Sequence, residues 1–403
     1  MVRQSSMTSL KRIVEKNEAW RSKCINLNAA ESALINASIS SLMQSDLARR
    51  AVLGIPGNRY SEGHRYIDEL ETMLDGLLKK LFSARHAEWR PMSASVADGI
   101  VIHAVTNVGD KIIATPTPLG HPTWHEKGYA GFRGLNIGDI PMDWDTLEVN
   151  YDKLQRLTSR TKFSIAIEGS SLILFPPDFD RLISSLNNTP LWYDGAHVMG
   201  LIASGYFPNP LSSGAKILSG STQKTLSGPL GGIILSNDKS TMFSIRVATS
   251  NDTATPDYGR IAGLTLTAIE WLRRGKSFAS RIMRNAKLLA TDLSEEGFTV
   301  LQEDRGFTRT HQIAVQCPRG FSSTNAAKLL SSVNIVTTPF PIPDGKGGTR
   351  QILRLGTTEI TSDGIHRDEI TQVARAIRLA FTDGPKALHL VESIAKSIRE
   401  RQE

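Results

Sequence analysis

The sequence predicts an α/β protein whose large domain is built on a mostly parallel sheet and is followed by a smaller C-terminal α+β domain. Short apolar runs alternate with segments of helical periodicity up to about residue 250, and this alternation is typical of parallel sheets covered by helices. After about residue 258 the pattern changes to long helices with few strands. A chain of 403 residues also has room for two or three domains.

Five apolar runs are predicted to be the buried strands of the large sheet. They are almost continuously apolar, as expected for parallel strands that are covered on both faces. They span residues 111–115, 163–168, 190–194, 215–221 and 231–236.

Helical periodicity defines the remaining elements. A short amphipathic helix is predicted over 5–20, and we expect its apolar side to pack on another surface, such as a second subunit. Apolar residues at helical spacing predict further helices over 64–82, 258–275 and 278–297. In the C-terminal part, strands are predicted over 298–303, 311–317 and 351–356.

These elements give a predicted domain division. We predict an N-terminal arm over 1–35, a large domain over 36–270 and a small domain over 271–403. No internal repeat and no low-complexity linker interrupts this plan.

Composition excludes several classes of protein. Hydrophobic residues make up 40% and charged residues 22% of the chain, which excludes a disordered or collagen-like protein. The formal charge of +7 comes from bases scattered among acids, so we expect a solvated surface and no nucleic-acid partner. Two cysteines are too few for a disulfide framework or a zinc site. The first 20 residues have no apolar signal core and no segment is long and apolar enough for a membrane span, so we expect a cytoplasmic protein without a membrane partner.

Lys224 is the first candidate catalytic residue. It follows a predicted strand in a turn of small residues and is followed by Gly228-Pro229 and Gly231-Gly232. A lysine held tightly in this way can lose solvation and act as an amine nucleophile, as Schiff-base lysines do. The alternative is an ordinary surface lysine in a turn.

Asp194 ends another predicted strand, and His197 follows three residues later. Ligands of open α/β sheets bind beyond the carboxyl ends of the strands. A carboxylate at that edge can hold a proton on a heteroaromatic nitrogen, which is what a pyridoxal ring needs to take up electrons. The alternative is that Asp194 caps a helix.

Two further positions are suited to anions. Ser93, Ala94 and Ser95 open a predicted helix, where free amides and hydroxyls can bind a phosphate; the alternative is a simple serine cap. Arg354 lies inside an apolar strand and needs an anion, either a substrate carboxylate or an internal carboxylate.

The histidines do not predict a metal site. His121 and His125 have helical spacing, but Pro122 interrupts it and no third ligand is evident. His121 can instead stack on a planar ring. No GxGxxG, P-loop or GxSxG motif supports a nucleotide-binding or hydrolase function.

In chain order, these segments resemble serine hydroxymethyltransferase. The most specific part is YDGAHVMGLIASGYFPNPL (193–211) followed by STQKTLSGPLGG (221–232), and the resemblance extends to LNAAES (27–32), IPGNRYSEGHRYIDELE (55–71), SASVADG (93–99) and ILRLGTTEIT (352–361). The family consists of pyridoxal 5'-phosphate (PLP) enzymes of fold type I, the fold of aspartate aminotransferase. The resemblance therefore implies a seven-stranded, mostly parallel sheet, PLP as cofactor and a homodimer with active sites at the subunit interface.

The resemblance also implies roles for individual residues. Lys224 would form the Schiff base with PLP, Asp194 would pair with the pyridine nitrogen, and Arg354 would bind the carboxylate of an amino-acid substrate. The remaining implied site residues are His197 near the ring hydroxyl, Ser93, Ala94, Ser95, Thr222 and Gln223 at the phosphate, and Ser171 at the cofactor face. Glu31 would be a catalytic residue near the active-site entrance, and Ser61 would bind the substrate. For the residue that stacks on the ring, direct alignment gives Pro118, and we choose His121, three residues later.

Several departures from the family pattern concern the folate-dependent half of the reaction. The family's tyrosine and its catalytic glutamate two residues on align with Ala51 and Leu53, and a second active-site tyrosine aligns with Ser61, although Glu62 follows it. Elsewhere the family's histidine before the lysine is Gln223, and the arginine of GPRGG is Leu230. The segments 249–257 and 336–348 replace a glycine-rich phosphate loop and the pterin-binding region.

We therefore expect a folate-independent PLP enzyme that acts on the Cα or Cβ bonds of an L-amino acid. Two reactions remain open. One is β-elimination or decarboxylation of a substituted amino acid such as a cysteine S-conjugate, in specialised metabolism such as antibiotic biosynthesis, and this one is slightly favoured. The other is aldol or retro-aldol exchange on a β-hydroxy amino acid. The alternatives are an orthodox tetrahydrofolate-dependent enzyme in which Glu62 replaces the lost glutamate, and a protein of this fold without catalysis.

Overall fold

The structure, a computed structural model, describes residues 2–31 and 36–401. Residues 32–35 of the predicted N-terminal arm lie outside the described residues. Within the described part of the chain, no helix combines the length and the apolar character that crossing a membrane requires.

The helices cover most of the chain between the strands. Short 3₁₀ turns occur at Asp46–Arg49, Pro122–Trp124 and Glu303–Arg305. The α-helices are α1 (Val2–Arg21), α2 (Ala37–Met43), α3 (Arg65–Phe82), α4 (Ala94–Val105), α5 (Tyr129–Phe132), α6 (Tyr151–Thr158), α7 (Phe179–Ser185), α8 (Met199–Ala203), α9 (Pro210–Ser213), α10 (Lys239–Asp252), α11 (Tyr258–Glu295), α12 (Ser323–Ser332), α13 (Thr358–Ser362), α14 (Arg367–Ala380) and α15 (Gly384–Glu400).

The strands are mostly short. They are β1 (Ile25–Asn26), β2 (Gly54–Ile55), β3 (Asn58–Arg59), β4 (His86–Glu88), β5 (Lys111–Ala114), β6 (Asn136–Asp139), β7 (Met142–Asp143), β8 (Glu148–Val149), β9 (Ile165–Glu168), β10 (Leu191–Asp194), β11 (Ile217–Ser221), β12 (Gly232–Ser236), β13 (Gln312–Gln316), β14 (Ile335–Val336), β15 (Thr338–Pro339), β16 (Ile342–Pro343), β17 (Thr349–Arg350) and β18 (Ile352–Gly356).

The chain divides into two compact units. The larger unit comprises residues 30–282 and 342–349, and the smaller unit comprises residues 1–29, 283–341 and 350–403. The N-terminal helix α1 thus belongs to the same unit as the C-terminal residues. The domain boundaries given above from the sequence, after residues 35 and 270, stay a prediction.

The larger unit contains a seven-stranded sheet in the order β4-β12-β11-β10-β9-β5-β6. All adjacent pairs from β11 to β6 are parallel, and β12 is antiparallel to both of its neighbours. This confirms the predicted α/β fold with a mostly parallel seven-stranded sheet. Strands β9 to β12 are buried along their whole length, which explains why their sequences are nearly continuous in apolar residues.

All five predicted strands of this sheet are present, and the two edge strands were missed. Strand β4 has three residues, and β6 (Asn136–Asp139) is only partly covered. Neither has the apolar run that identifies a buried strand. An edge strand needs burial on fewer sides, so its sequence carries a weaker signal.

The smaller unit is α+β, as predicted. Its three-stranded sheet has the order β13-β18-β15 with antiparallel pairs. Its core joins the C-terminal half of α11 to α12, α14 and α15 through buried aliphatic residues. The strand predicted over 298–303 is wrong, because among these residues Val300 forms only an isolated bridge to Val315.

The two segments that depart from the family pattern are partly regular. Residues 249–252 are the last turn of α10, so only 253–257 of the segment 249–257 lie outside a helix. The segment 336–348 contains the two-residue strands β15 and β16.

The two helices predicted over 258–275 and 278–297 are one continuous helix, α11 (Tyr258–Glu295). A glycine inside a helix destabilises it by only about 1 kcal/mol, which the apolar face on either side offsets. A Cβ on Gly275 would collide with the ring of Trp271, one turn earlier. That ring is buried and donates a 2.6 Å hydrogen bond from Nε1 to the Leu226 carbonyl. Gly275 therefore makes room for a packed tryptophan and does not end the helix.

This packing predicts that Gly275→Ala destabilises the protein although alanine is the better helix former. Displacing the fixed Trp271 ring should cost about 1–3 kcal/mol, more than the roughly 1 kcal/mol that alanine gains in a helix. The matched control is Gly76→Ala in α3, where a Cβ meets nothing within 4 Å and stability should rise. Chemical unfolding midpoints measure both variants. An equal rise in the two would show that Trp271 moves aside freely.

Candidate active site

The carboxyl ends of two adjacent strands bring the main candidates to one edge of the sheet. Asp194 is the last residue of β10 and pairs in register with Ser219 of β11. Lys224 follows the end of β11 by three residues. Because β10 and β11 are parallel, both residues lie at the edge where ligands of open α/β sheets bind.

Lys224 and His197 are in direct contact. The Nζ atom of Lys224 lies 3.1 Å from Nε2 of His197, and the histidine is buried. Thr225 holds the backbone of His197 in place. Its hydroxyl donates to the His197 carbonyl at 2.9 Å and accepts from the Gly200 N–H at 3.1 Å. The structure thus places Lys224 against a buried imidazole rather than in an ordinary surface turn.

Asp194 is a buried carboxylate. Its Oδ1 accepts a 2.8 Å hydrogen bond from the Ala196 N–H, which closes a turn two residues long. Burial raises the pKa of Asp194, and the positive charge of Lys224 acts in the opposite direction. The helix-cap alternative does not hold, because the next helix, α8, begins at Met199 with Val198 as its cap residue.

The predicted phosphate segment forms the start of α4. Ser93 is the N-cap, and its Oγ accepts a 3.2 Å hydrogen bond from the Val96 N–H. The amides of Ala94 and Ser95 lie in the first turn, where backbone N–H groups have no acceptor within the helix. The positive end of the helix dipole also lies there. The cap and the anion-binding interpretation are thus compatible, because the cap uses a different amide.

The turn that carries Lys224 is tied to this helix start. The Thr222 N–H donates to the Gly231 carbonyl at 3.0 Å, and the Gly232 N–H donates to the Pro91 carbonyl at 3.0 Å. A Cβ on Gly232 would collide with the backbone of Ser93. Close backbone approach therefore requires this glycine and keeps the lysine turn beside the amides of α4.

The two residues between β11 and Lys224 differ in what they offer to a ligand. The Thr222 hydroxyl donates to the Pro229 carbonyl at 2.5 Å, so its hydrogen is already used. The Gln223 Oε1 atom is buried, and it has no hydrogen-bond partner among the described residues. An amide left in this state is suited to a ligand that enters the site.

The donor set of this edge fits PLP. It combines an amine for a Schiff base, a buried carboxylate for a protonated pyridine nitrogen, and a helix start for a phosphate. The buried Gln223 amide oxygen, which has no partner in the described part of the chain, is the feature of the protein itself that a hydrogen-bond donor of a bound cofactor would complete.

His121 and Ser171 lie on neighbouring segments. The Ser171 N–H donates to the Leu119 carbonyl at 2.6 Å, two residues before His121. The His121 side chain is 38% exposed and its ring centroid lies 5.9 Å from that of Trp124. Burial, followed by the positive charge of Lys224, lowers the pKa of His121 to about 4, so the ring is neutral at pH 7.

Sequence analysis missed two buried carboxyl groups beside Asp194. Asp98 of α4 is 1% exposed and lies within hydrogen-bonding distance of Thr123 Oγ1 (2.8 Å) and Ser219 Oγ (3.3 Å). Glu168 ends β9, and burial followed by the charge of Asp194 raises its pKa to about 8. Glu168 sits at the end of a predicted strand, as Asp194 does, and that position was an available signal. Asp98 had no comparable signal inside a helical segment.

The structure gives the immediate surroundings of three further predicted site residues. Arg354 is buried in β18 of the smaller unit, where its guanidinium lies 5.0 Å from the ring centre of Phe340 and burial lowers its pKa to about 10. Ser61 is exposed, and its hydroxyl lies 2.9 Å from Nε2 of His64. Glu31 is half-buried in the larger unit. Their roles stay predictions.

The positions of the lost folate residues are at the surface. Ala51 and Leu53 are exposed, Leu53 to 45%, and the intervening Val52 is buried. Glu62, the possible substitute, is also exposed.

Comparison with known proteins agrees with this geometry. The family model of serine hydroxymethyltransferase matches residues 4–377. The serine hydroxymethyltransferase of Methanothermobacter marburgensis is 35% identical over 382 residues, which are 92% of this chain and 89% of the relative. That of Archaeoglobus fulgidus is 33% identical over 395 residues, 96% of this chain and 90% of the relative.

The fold also matches a solved structure. The L-threonine transaldolase of Pseudomonas fluorescens, in its internal aldimine state, superimposes with a TM-score of 0.88 at 24% identity and covers 99% of this chain and 94% of its own. At that identity the match supports the fold. The sequence match over nearly the whole chain shows that this protein belongs to the serine hydroxymethyltransferase family and is a PLP-dependent enzyme.

Proposed function

We propose that this enzyme breaks or exchanges the Cα–Cβ bond of a β-hydroxy-L-amino acid without tetrahydrofolate. The observation that carries the proposal is the contrast between two groups of residues. The groups suited to PLP, Lys224, His197 and Asp194, lie together at one sheet edge. The tyrosine and glutamate that serve the folate-dependent step in the family are replaced by Ala51 and Leu53.

The replacement removes both functional groups. Neither alanine nor leucine can donate, accept or move a proton. General acid–base groups contribute about 10²- to 10⁴-fold to a catalysed step, so a folate-dependent transfer that needs them should be slow here. Cleavage of a bond at Cα needs only the cofactor and the groups around it.

The comparisons support aldol chemistry over elimination or decarboxylation. The relatives are named for hydroxymethyl transfer to and from serine, and the similar fold belongs to a threonine transaldolase. Both names refer to a β-hydroxy amino acid, serine or threonine. Aldol cleavage of such an amino acid gives an aldehyde and glycine. The bond between Cα and Cβ breaks, the hydroxyl oxygen becomes the carbonyl oxygen of the aldehyde, and its proton leaves. Cα gains a proton or joins a second aldehyde.

Different residues of this chain would bind the cofactor, move protons and bind the substrate. Bound PLP supplies an electron sink for the bond that breaks at Cα. Asp194 holds the proton on the pyridine nitrogen, and the amides of Ala94 and Ser95 with the Ser93 hydroxyl bind the phosphate. Lys224 anchors the cofactor and exchanges protons with His197, 3.1 Å away. Arg354 binds the substrate carboxylate, which determines the bond that stands perpendicular to the ring.

A second candidate is β-elimination or decarboxylation of a substituted amino acid such as a cysteine S-conjugate, in specialised metabolism. The segments 249–257 and 336–348, which differ from the family pattern, favour an altered substrate side chain. The third candidate, the orthodox folate-dependent reaction, requires that Glu62 acts in place of the lost glutamate.

The first prediction from the proposed function separates these reactions. Threonine-like β-hydroxy amino acids should release aldehyde, and glycine with an aldehyde should give the reverse product, at rates that tetrahydrofolate does not change. Chromatography of products with and without folate measures this. Lys224→Ala is the control that should lose both turnover and the visible absorption of the protein–PLP Schiff base.

Two results would contradict the proposal. Serine cleavage accelerated by tetrahydrofolate would favour the orthodox reaction. Release of pyruvate, a thiol or carbon dioxide from cysteine S-conjugates, with no aldehyde from β-hydroxy amino acids, would favour the second candidate.

The second prediction concerns Asp194. An asparagine has nearly the same shape but no charge, so Asp194→Asn should leave the proton on the pyridine nitrogen unsupported. We expect turnover to fall by about 10²- to 10⁴-fold while PLP remains bound through Lys224. Activity assays and the visible spectrum test this together, and wild-type turnover in the variant would refute the assigned role.

The third prediction concerns assembly. The helix α1 exposes Met7, Leu10, Ile13 and Val14, Leu10 and Ile13 to more than 60%, and we infer that a second copy of the chain covers them. Light scattering at micromolar concentration should give a homodimer. Replacing Leu10 and Ile13 with aspartate should weaken the dimer, whereas Lys11→Asp on the same helix is the matched surface control. A monomeric wild type would refute this proposal.

A further inference from the structure

Asp98 joins the sheet to the segment that carries His121. It lies on α4 and is 1% exposed. Its Oδ1 accepts from Ser219 Oγ of β11 at 3.3 Å, and the same Ser219 hydroxyl accepts from Trp192 Nε1 at 2.8 Å. Its Oδ2 lies 2.8 Å from Thr123 Oγ1, which lies 2.9 Å from Nδ1 of His121. A continuous row of polar contacts thus runs from β10 and β11 to the ring of His121.

The number of available hydrogens determines which atom donates and which accepts in each of these contacts. The Thr123 backbone N–H donates to His121 Nδ1 at 3.3 Å, so Nδ1 presents a lone pair and carries no hydrogen. The contact between Nδ1 and Thr123 Oγ1 must then use the hydrogen of the hydroxyl. A threonine hydroxyl has one hydrogen. The contact between Oγ1 and Asp98 Oδ2 therefore needs a hydrogen on the carboxyl oxygen.

We propose that Asp98 is held as an uncharged carboxylic acid that orders a hydrogen-bond relay through Thr123 to His121. In this relay Asp98 Oδ2–H donates to Thr123 Oγ1, and the Thr123 hydroxyl donates to His121 Nδ1. The second carboxyl oxygen accepts from Ser219. Every contact in the row then has one donor and one acceptor, and the His121 ring is fixed as the tautomer with hydrogen on Nε2.

The charges around Asp98 support the uncharged form. Burial raises the pKa of Asp98 well above its usual value, and the negative charge of Asp194 on β10 raises it further. The Ser219 hydroxyl and the positive charge of Lys224 act in the opposite direction without reversing the shift. A hydrogen bond donated by Thr123 would also lower the pKa of Asp98, but in the relay the Thr123 hydroxyl donates to His121. His121, whose Nδ1 lies 4.0 Å from Oδ2, is neutral at pH 7 because burial lowers its pKa to about 4.

The consequence for the site is that Asp98 acts as a positioning residue. An ionised Asp98 would take the Thr123 hydrogen and favour the other tautomer of His121, with Nδ1 as donor. The uncharged acid keeps Nδ1 as acceptor and leaves Nε2–H as the donor of the ring. The relay itself stands on the protein contacts alone, and only its effect on PLP rests on the proposed stacking of His121 on the cofactor.

The first test reads the tautomer directly. The full chain is labelled with ¹³C and ¹⁵N histidine, and His121 is assigned among the 9 histidines by the signal lost in His121→Gln. Spectra are recorded with the cofactor as purified and after its removal. We expect hydrogen on Nε2 in the wild type and in Asp98→Asn, because the asparagine amide can still donate to Thr123 and its carbonyl can still accept from Ser219. Thr123→Val should give a mixture of tautomers.

Two results would overturn the relay. Hydrogen on Nδ1 in the wild type would show that Asp98 is ionised. An unchanged His121 spectrum in Thr123→Val would show that the hydroxyl does not order the ring. A PLP titration adds a separate readout, since loss of one buried hydrogen bond should weaken PLP binding in Thr123→Val by roughly 2- to 10-fold. Unchanged PLP affinity with an altered tautomer would leave the relay intact and refute the stacking of His121 on the cofactor.

The second test is the pH dependence of stability. If folded Asp98 is uncharged, ionisation of the unfolded chain above a pH of about 4 destabilises the wild type progressively as pH rises. Asp98→Asn does not titrate there, so its thermal unfolding midpoint should rise relative to the wild type between about pH 5 and pH 8. Asp180→Asn, at an exposed position in α7, is the matched control and should show no such trend. A difference that stays constant between about pH 5 and pH 8 would mean that Asp98 is charged in the folded protein throughout that range.

Discussion

The constraint on which the rest of the site depends is the burial of the Asp194 carboxylate. A charge removed from water is strongly destabilised unless it is paired or hydrogen-bonded. Here the chain supplies one N–H, from Ala196, and the positive charge of Lys224. In the proposed function, the protonated ring nitrogen of PLP pairs with this carboxylate, so that cofactor binding would also stabilise the folded state by mass action.

The burial of Asp194 affects both the packing and the protonation of the residues around it. Close packing beside Asp194 leaves room only for glycine at position 169, where a Cβ would lie 2.7 Å from the aspartate Cβ. The same low-dielectric interior raises the pKa values of all three acids, Asp194, Glu168 and Asp98, and a negative charge on Asp194 raises those of the other two further. One carboxylate charge in a group of three acids avoids the repulsion that a second would add.

The sequence was sufficient for the fold and for the residues at the ends of strands. Buried parallel strands are recognisable by their apolar runs, and Asp194 and Lys224 interrupt or follow such runs. The rest depends on contacts between distant segments. The edge strand β6 is only partly buried, so its sequence has no apolar run. The helix continues across Gly275 because this glycine makes room for the Trp271 ring. The role of Asp98 could not be predicted, because its partners Thr123 and Ser219 are 25 and 121 residues away.

Under the proposed function, the same physical difference would explain how a family member loses the folate-dependent half of its reaction and keeps the cofactor-dependent half. The positions of the folate-dependent tyrosine and glutamate, now Ala51 and Leu53, are exposed in this chain, and exposed substitutions usually change stability by no more than about 0.5 kcal/mol. The groups around Asp194 are buried and mutually dependent, so replacing one leaves another unpaired at a cost of about 1–3 kcal/mol. Specificity for the co-substrate can therefore change at the surface, whereas the cofactor site is retained because both folding and chemistry require it.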